Sequence, residues 1–331
     1  MHHHHLPVRS DVAIRRVLLV ARCAAVALLA AACGKDAPES RLPTPDPAPQ
    51  TVVTTIDSTA IATLTRWKEA DGSAIYLPGE GGMVQVILPP VADDSVPSPS
   101  KAVLPVTAAP ASIDLFSPGG KLGSGAVGAF VATAQPALGD GCDAWATVML
   151  LPGSTPSPDR WRIALQAGLA DAMHADSIGS LPPADSAALV VEINRAAALV
   201  PLDQDGLLRR VPFGVTKAYR VSLGENREAV MAVVERRLNM EASPKVERTT
   251  LVLERAGVGK PLKAIWHETQ YTGEDDLIAV DLLAAVSFRT ESRRPVLFLR
   301  HDFGDGSRIH MLQRSPDGVW ALRWASAYTG C

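Results

Sequence analysis

Short β-favouring runs separated by proline and glycine recur along this chain and favour strands over long helices. The 331 residues include 26 Pro and 25 Gly, and both residue types end or redirect regular structure. Between them lie runs rich in Val, Ile, Leu and Thr, at 51–56, 82–88, 101–106, 126–133 and 145–151. Such regular punctuation predicts antiparallel sheets. We expect a mainly β fold of the α+β class, with sandwich-like meanders and one or two helices.

One helix is expected at 182–199, where Leu189, Ile193 and Ala197 recur at helical spacing. Ser180 is placed to cap its first turn, and prolines suit that turn because they need no amide donor there.

The segment 225–242 is ambiguous, because its Ala, Met, Glu and Arg residues favour a helix whereas its apolar residues also alternate as in a strand. The β-branched run at 249–253 follows a Ser-Pro turn at 243–244, which favours a strand and a hairpin between the two segments.

The carboxyl-terminal part predicts a β-meander. Asp305-Gly306 between alternating apolar runs indicates a two-residue hairpin turn, and counting outward from it pairs His301 with His310. A second turn at 315–318 then places Arg323 beside His310. The apolar side chains of the meander are expected to share one core face: Phe298, Ile309, Met311, Trp320, Leu322 and Trp324.

The opposite face of this meander would carry His301, His310 and Arg323 in one row. Two imidazoles are one ligand short of a metal site, and a guanidinium opposes a bound cation. The row therefore predicts a site for a small anion rather than for a metal, and the ordinary alternative is a solvated polar face. We expect no metal and no cofactor.

Two further motifs lack the context that their chemistry needs. The glycines at 123–128 match G-x-G-x-x-G, but Pro118 and Pro136 leave no room for the strand and helix of a dinucleotide site, so a plain glycine loop is expected. His267-Glu268 begins the zinc motif H-E-x-x-H, but Tyr271 replaces the second histidine. No catalytic residue can be assigned.

The amino terminus has the order of an export signal. Arginines precede an apolar stretch at 23–32 that is too short to span a bilayer as a helix. The alanines at 30–32 and the following Cys33 resemble the lipobox of bacterial lipoproteins, although Ala30 stands where that family usually has Leu. The resemblance implies a signal peptide at 1–32 and a lipid on Cys33. Ordinary signal cleavage, giving a secreted protein, is the alternative.

The remaining chain divides by composition. Residues 33–50 form a proline-rich linker suited to hold a folded body away from a membrane, and residues 51–331 form the mainly β globular region, with a possible subdivision near 200–213. The whole chain has a formal net charge of −3, and residues 1–32 have a net charge of +3. Cleavage after residue 32 therefore leaves a product with a net charge of −3 − 3 = −6. An acidic product argues against nucleic-acid binding.

Cysteine parity fits export. Of the four cysteines, Cys23 leaves with the signal and Cys33 takes the lipid, so Cys142 and Cys331 remain. Two cysteines suit one disulfide in an oxidising compartment. Two separate buried thiols are the alternative.

These features predict a membrane-anchored lipoprotein of the cell envelope, on the extracytoplasmic side in the periplasm or at the outer membrane. Non-catalytic binding of an envelope protein or a small anionic ligand is the expected role. An extracytoplasmic hydrolase with a site that the sequence does not reveal is the alternative.

Overall fold

The computed structural model describes residues 74–87, 111–128, 145–153, 160–200, 206, 208–238, 245–257, 259–272, 278–289, 293–326 and 328–330. All of them belong to one compact unit, Thr51–Cys331. The described ranges form three antiparallel sheets and one α-helix, which confirms the mainly β prediction. The predicted strands at 51–56 and 101–106, the signal peptide and the linker lie outside them.

The helix is α1 (Pro183–Ala197). The strands are β1 (Ile75–Pro78), β2 (Met83–Ile87), β3 (Ala111–Ser117), β4 (Gly120–Val127), β5 (Thr147–Met149), β6 (Ile163–Gln166), β7 (Ala170–Met173), β8 (Ala175–Ser177), β9 (Gly214–Gly224), β10 (Arg227–Leu238), β11 (Lys245–Arg255), β12 (Lys263–Thr272), β13 (Ala279–Phe288), β14 (Pro295–Asp302), β15 (Gly306–Arg314), β16 (Trp320–Ala325) and β17 (Thr329–Gly330).

The three sheets pack as layers with sheet 2 in the middle. Sheet 1 has the order β4-β3-β6-β1-β2-β5, sheet 2 the order β16-β15-β14-β13-β7, and sheet 3 the order β12-β11-β10-β9-β8. Apolar side chains of sheets 1 and 2 share one core cluster, and those of sheets 2 and 3 share a second. A third cluster joins α1 to the other face of sheet 3. Sheet 2 and most of sheet 3 are therefore covered on both faces.

The helix begins and ends close to its predicted bounds, and Leu189, Ile193 and Ala197 are buried as expected. The expected cap is wrong. Pro182 occupies the cap position, while the Ser180 hydroxyl donates to the carbonyl of Ser177 at 2.7 Å. Prolines at the start of α1 leave fewer amide donors that need a cap.

The strand prediction for 225–242 and its hairpin are confirmed, because β10 pairs with β11 over eleven positions. The sequence is ambiguous there since both faces of β10 are buried. Met231 and Val233 pack toward sheet 2, whereas Val230 and Val234 pack toward α1. Apolar residues at six consecutive positions, 229–234, blur the two-residue alternation that identifies a half-buried strand.

The predicted glycine loop at 123–128 is wrong, because residues up to Val127 belong to β4. This strand lies at the edge of sheet 1 and pairs with β3 over its length. The Ser124 hydroxyl in β4 donates to the buried carboxylate of Asp114 at 2.7 Å. Pairing with β3 supplies the strand geometry that the glycines themselves do not favour.

The register of the β14–β15 hairpin differs from the prediction by two residues. His301 pairs with Arg308, and His310 pairs with Leu299. Gly304, with φ 88°, takes the left-handed position of the turn, whereas Gly306 belongs to β15 and pairs with Gly330 of β17. A side chain at Gly306 would collide with Tyr328 and Thr329. A shift of two residues leaves His301 and His310 on the same face.

The predicted single core face of the meander is also wrong in part. A bulge between β15 and β16 pairs Met311 with Trp324 but Leu312 with Leu322, so that Arg323 is the extra residue. The extra residue reverses the alternation of side chains between the two halves of β16. Trp324 packs toward sheet 1 whereas Trp320 packs toward sheet 3.

Candidate metal centre

Three polar side chains meet between sheets 2 and 3. Glu268 lies on β12, and its strand neighbour at alternate spacing, Trp266, packs in the core between these sheets. His301 lies near the end of β14, on the face that carries Leu299. His310 lies beside it on β15. The two histidines are diagonal neighbours across the hairpin, which brings their side chains into contact on that face.

The three ligand atoms surround a small gap. Nε2 of His301 lies 3.8 Å and Nδ1 of His310 lies 3.9 Å from Oε2 of Glu268. All three atoms lie within 4.8 Å of one another, and the two imidazole rings are in contact, with centroids 3.9 Å apart and planes tilted by 34°. These separations exceed a hydrogen bond, which needs 2.7–3.2 Å between the heavy atoms.

The same three atoms are buried and have no hydrogen-bond partner among the described residues. His301 is 1% exposed and His310 is 7% exposed. Leaving a polar atom buried and unpaired costs on the order of 1–3 kcal/mol for each group, so native proteins rarely retain such atoms without a function. Three such atoms within 4.8 Å of one another indicate a binding site for a ligand.

Burial sets the protonation states of the cluster. It lowers the pKa of His301 to about 4 and holds the pKa of His310 well below its usual value, with the positive charge of Arg308 acting in the same direction. Burial raises the pKa of Glu268 to about 7, against the opposing effect of Arg308. Both imidazoles are therefore neutral at pH 7, with lone pairs available to a ligand.

The spacing suits one transition-metal ion. Zinc binds imidazole nitrogen and carboxylate oxygen at 2.0–2.2 Å, so two donors on one ion lie about 3.4 Å apart at the tetrahedral angle and at most about 4.3 Å apart in a straight line. The two separations from Oε2 of Glu268, 3.8 and 3.9 Å, lie between these values, and all three atoms lie within 4.8 Å of one another. A small inward movement of the side chains would bring the three atoms to the coordination distance of one ion. Gln270, two residues along β12 from Glu268, also has a buried carbonyl oxygen without a hydrogen-bond partner in the described ranges.

The arginine beside the histidines is Arg308 and not the predicted Arg323. Arg308 faces His301 across the hairpin. Arg323 is buried and donates to the side-chain carbonyl of Gln313, whose neighbours Ile309 and Met311 pack toward sheet 1. The structure thus brings together two members of the predicted row and replaces the third.

Glu268 belongs to the incomplete H-E-x-x-H motif, and sequence reasoning missed it as a site residue for that reason. The motif needs a helix, which puts its two histidines on one face. In strand β12, His267 and Glu268 point to opposite faces, and only Glu268 faces sheet 2. The sequence feature that could have identified Glu268 is its place in the strand alternation, because an acidic residue stands there on the same face as the apolar Trp266.

The other predicted site residues, Cys33, Cys142 and Cys331, lie outside the described residues. Lipidation and the disulfide therefore stay predictions. In the part of the chain that the structure describes, no helix has the length and apolar character needed to cross a bilayer.

Comparisons of the chain with protein families, with curated proteins and with solved structures find no match. The function is therefore inferred from the chemistry of the site.

Proposed function

We propose that this chain is a lipid-anchored protein of the cell envelope that binds a divalent transition-metal ion with Glu268, His301 and His310. The observation that carries the proposal is the buried gap among three donor atoms, each without a hydrogen-bond partner among the described residues. An ion in this gap would satisfy all three atoms at once.

The donor set selects the class of metal. Two imidazole nitrogens and one carboxylate oxygen favour zinc, copper, nickel, cobalt or iron, whereas calcium and magnesium prefer oxygen donors throughout. Neutral imidazoles require no proton release on binding, and a bound dication would stabilise the ionised form of Glu268. The charge of the cluster therefore matches a cation once Glu268 is deprotonated.

Burial supports binding over turnover of a large substrate. Three protein donors with an open fourth position also occur in catalytic zinc sites. Here both histidines are nearly inaccessible, and only 20% of the Glu268 side chain is exposed. Only a small molecule would reach an ion held there, which favours a binding role over an extracytoplasmic hydrolase.

The location is supported by residues 1–33 alone, through their resemblance to a lipoprotein signal. Mass spectrometry of the mature product tests it. A mass consistent with cleavage before Cys33 and acylation of that residue is expected, and a product that retains the arginines of the signal would contradict it.

Metal analysis of the mature protein tests the site. The histidines at 2–5 are absent after cleavage, so they do not contribute. After treatment with a chelator and dialysis against Zn²⁺, the protein is expected to retain about one equivalent of zinc, whereas Glu268→Gln and His310→Gln retain none.

His267→Gln is the matched control, because it removes a neighbouring imidazole on the opposite face of β12. This variant is expected to retain zinc like the wild type. Absence of zinc from the wild type, or equal zinc in Glu268→Gln, would overturn the proposal.

A further inference from the structure

A cation stands beside the proposed metal site. Arg308 faces His301 across the hairpin and lies two residues before His310 on the same face of β15. Its Nε is buried and has no hydrogen-bond partner among the described residues. The guanidinium is near enough to influence Glu268 and both histidines electrostatically.

This arrangement is unbalanced when a metal binds alone. A divalent ion, one carboxylate, two neutral imidazoles and one guanidinium leave two uncompensated positive charges, where the ion would be buried and the Arg308 side chain is half-buried. Burying unpaired charge is expensive, and repulsion between the ion and Arg308 adds to the cost. Within the described ranges, no carboxylate forms an ion pair with Arg308 that would compensate this charge.

The three protein donors would also leave one coordination position of the metal open. Three protein donors leave a tetrahedral ion with one open position, which a water or another small ligand fills. A single oxyanion can complete the coordination with one oxygen and accept hydrogen bonds from Arg308 with another. The planar guanidinium fork matches the geometry of carboxylate and phosphate oxygens.

We infer that the metal at Glu268, His301 and His310 is bound together with a small oxyanion that fills the open coordination position and pairs with Arg308. This inference rests on the proposed function. It gives the two histidines and an arginine the anion-binding role that their sequence suggests, with Arg308 as the arginine and with the metal as a second partner.

Cobalt-loaded mature protein provides the test, because the visible absorption of Co²⁺ reports changes in its ligands. In perchlorate buffer at constant ionic strength, titration with sodium acetate is expected to change the spectrum saturably. Arg308→Gln is expected to weaken this acetate binding about tenfold or more. Arg300→Gln is the control, because Arg300 lies next to His301 with a half-exposed side chain.

Affinity for the metal supplies a second measurement. Without acetate, Arg308→Gln is expected to bind Co²⁺ more tightly than the wild type, because the repulsion is removed. With acetate, the wild type is expected to gain affinity by about five- to fiftyfold, and the variant much less. If Arg308 only supported the fold, its replacement would neither tighten Co²⁺ binding without acetate nor reduce the gain in affinity with acetate. If Arg308→Gln does not fold, Arg308→Lys retains the charge but loses the fork, and weaker acetate binding is still expected.

The outcomes separate the two proposals. Failure of the wild type to bind Co²⁺ would overturn the metal site and this inference with it. Cobalt binding that requires Glu268 but does not respond to acetate would overturn the oxyanion alone. Equal acetate affinity in the wild type and the foldable Arg308 variant would do the same.

Discussion

Two groups of ionisable side chains within the described core differ in how fully they are paired. Arg236 and Glu247 are 6% and 0% exposed and form a bidentate pair at 3.0 and 2.7 Å. Arg236 also donates to the carbonyl of Leu208 at 2.9 Å and lies over the ring of Phe213. This pair is satisfied by the protein itself, whereas the Glu268 cluster is not. The contrast is why only the cluster indicates a ligand.

Breaking the satisfied pair is expected to destabilise the fold. Glu247→Gln leaves the Arg236 charge buried without its carboxylate, and the free energy of unfolding in urea should fall by about 3–5 kcal/mol. The double variant Arg236→Met/Glu247→Leu should recover most of the loss, because no charge remains buried. Asp171→Asn, in the exposed pair with Arg289, should change little. A small effect of Glu247→Gln would contradict this account.

The metal-free cluster should make stability depend on pH. The folded pKa of Glu268 is about 7 and its ordinary value is 4.5, so the native state holds an extra proton between these values and loses stability as pH rises through them. His301 acts in the opposite direction, because its folded pKa of about 4 lies below 6.5 and stability falls as pH drops through that window.

Glu268→Gln removes only the first contribution. In the presence of EDTA, the variant should equal the wild type near pH 4.5 and exceed it by about 1–3 kcal/mol at pH 8. Denaturant unfolding at several pH values measures the difference. A gap that is independent of pH would show that Glu268 does not titrate in this range.

The hairpin between β9 and β10 has a turn in which one residue, Glu225, does not suit the backbone conformation. Glu225 and Asn226 both have positive φ, at 52° and 58°, as in a type I′ turn. Asn tolerates this conformation better than Glu does. Glu225→Gly should therefore stabilise the protein by about 0.5–1 kcal/mol in thermal or urea unfolding.

The exposed ion pair between Glu225 and Arg227 contributes little to this balance. Glu225→Ala removes the same pair but keeps a Cβ in the left-handed region, so it should not stabilise. An equal gain for both variants would attribute the effect to the lost charge rather than to the backbone.

The elements that sequence reasoning predicted correctly are those whose signals are local. The helix follows from apolar spacing at Leu189, Ile193 and Ala197, and the β10–β11 hairpin follows from the β-branched run beside it. The β14–β15 register was wrong by two residues because Gly306 is held against Tyr328 and Thr329, a contact that no local pattern encodes.

The candidate site could likewise be predicted only where it depends on local strand alternation. The shared face of His301 and His310 survives a shift of two residues, because strand side chains alternate with period two. Their burial and the approach of Glu268 depend on sheet 3 packing over sheet 2. Arg323 left the row because a bulge follows Met311, and bulges depend on packing as well as on sequence.

Polar contacts cross the apolar layer between sheets 2 and 3. Glu254 of β11 accepts from Nε and Nη2 of Arg314 on β15 at 2.6 and 3.0 Å. The indole nitrogen of Trp320 on β16 also donates to Glu254. Tyr219 of β9 likewise donates to Asp281 of β13 at 2.7 Å. A metal bound by Glu268, His301 and His310 would add a further polar connection between the same two sheets.

Zinc should therefore stabilise the whole fold. A ligand that binds only the native state adds about 2.7 kcal/mol at a free concentration one hundred times its Kd. Thermal unfolding of the mature protein should shift upward by several degrees with added Zn²⁺, and the shift should vanish in Glu268→Gln. An equal shift in that variant would mean that zinc acts elsewhere on the chain.

The division of the donor atoms between two layers has a consequence for assembly. Neither sheet alone holds enough donors to retain an ion, since Glu268 comes from one and both histidines from the other. Metal occupancy of the site would thus report whether sheets 2 and 3 have packed together. A substitution that weakens the packing between these two sheets, even far from the donor atoms, would release the ion without changing any ligand.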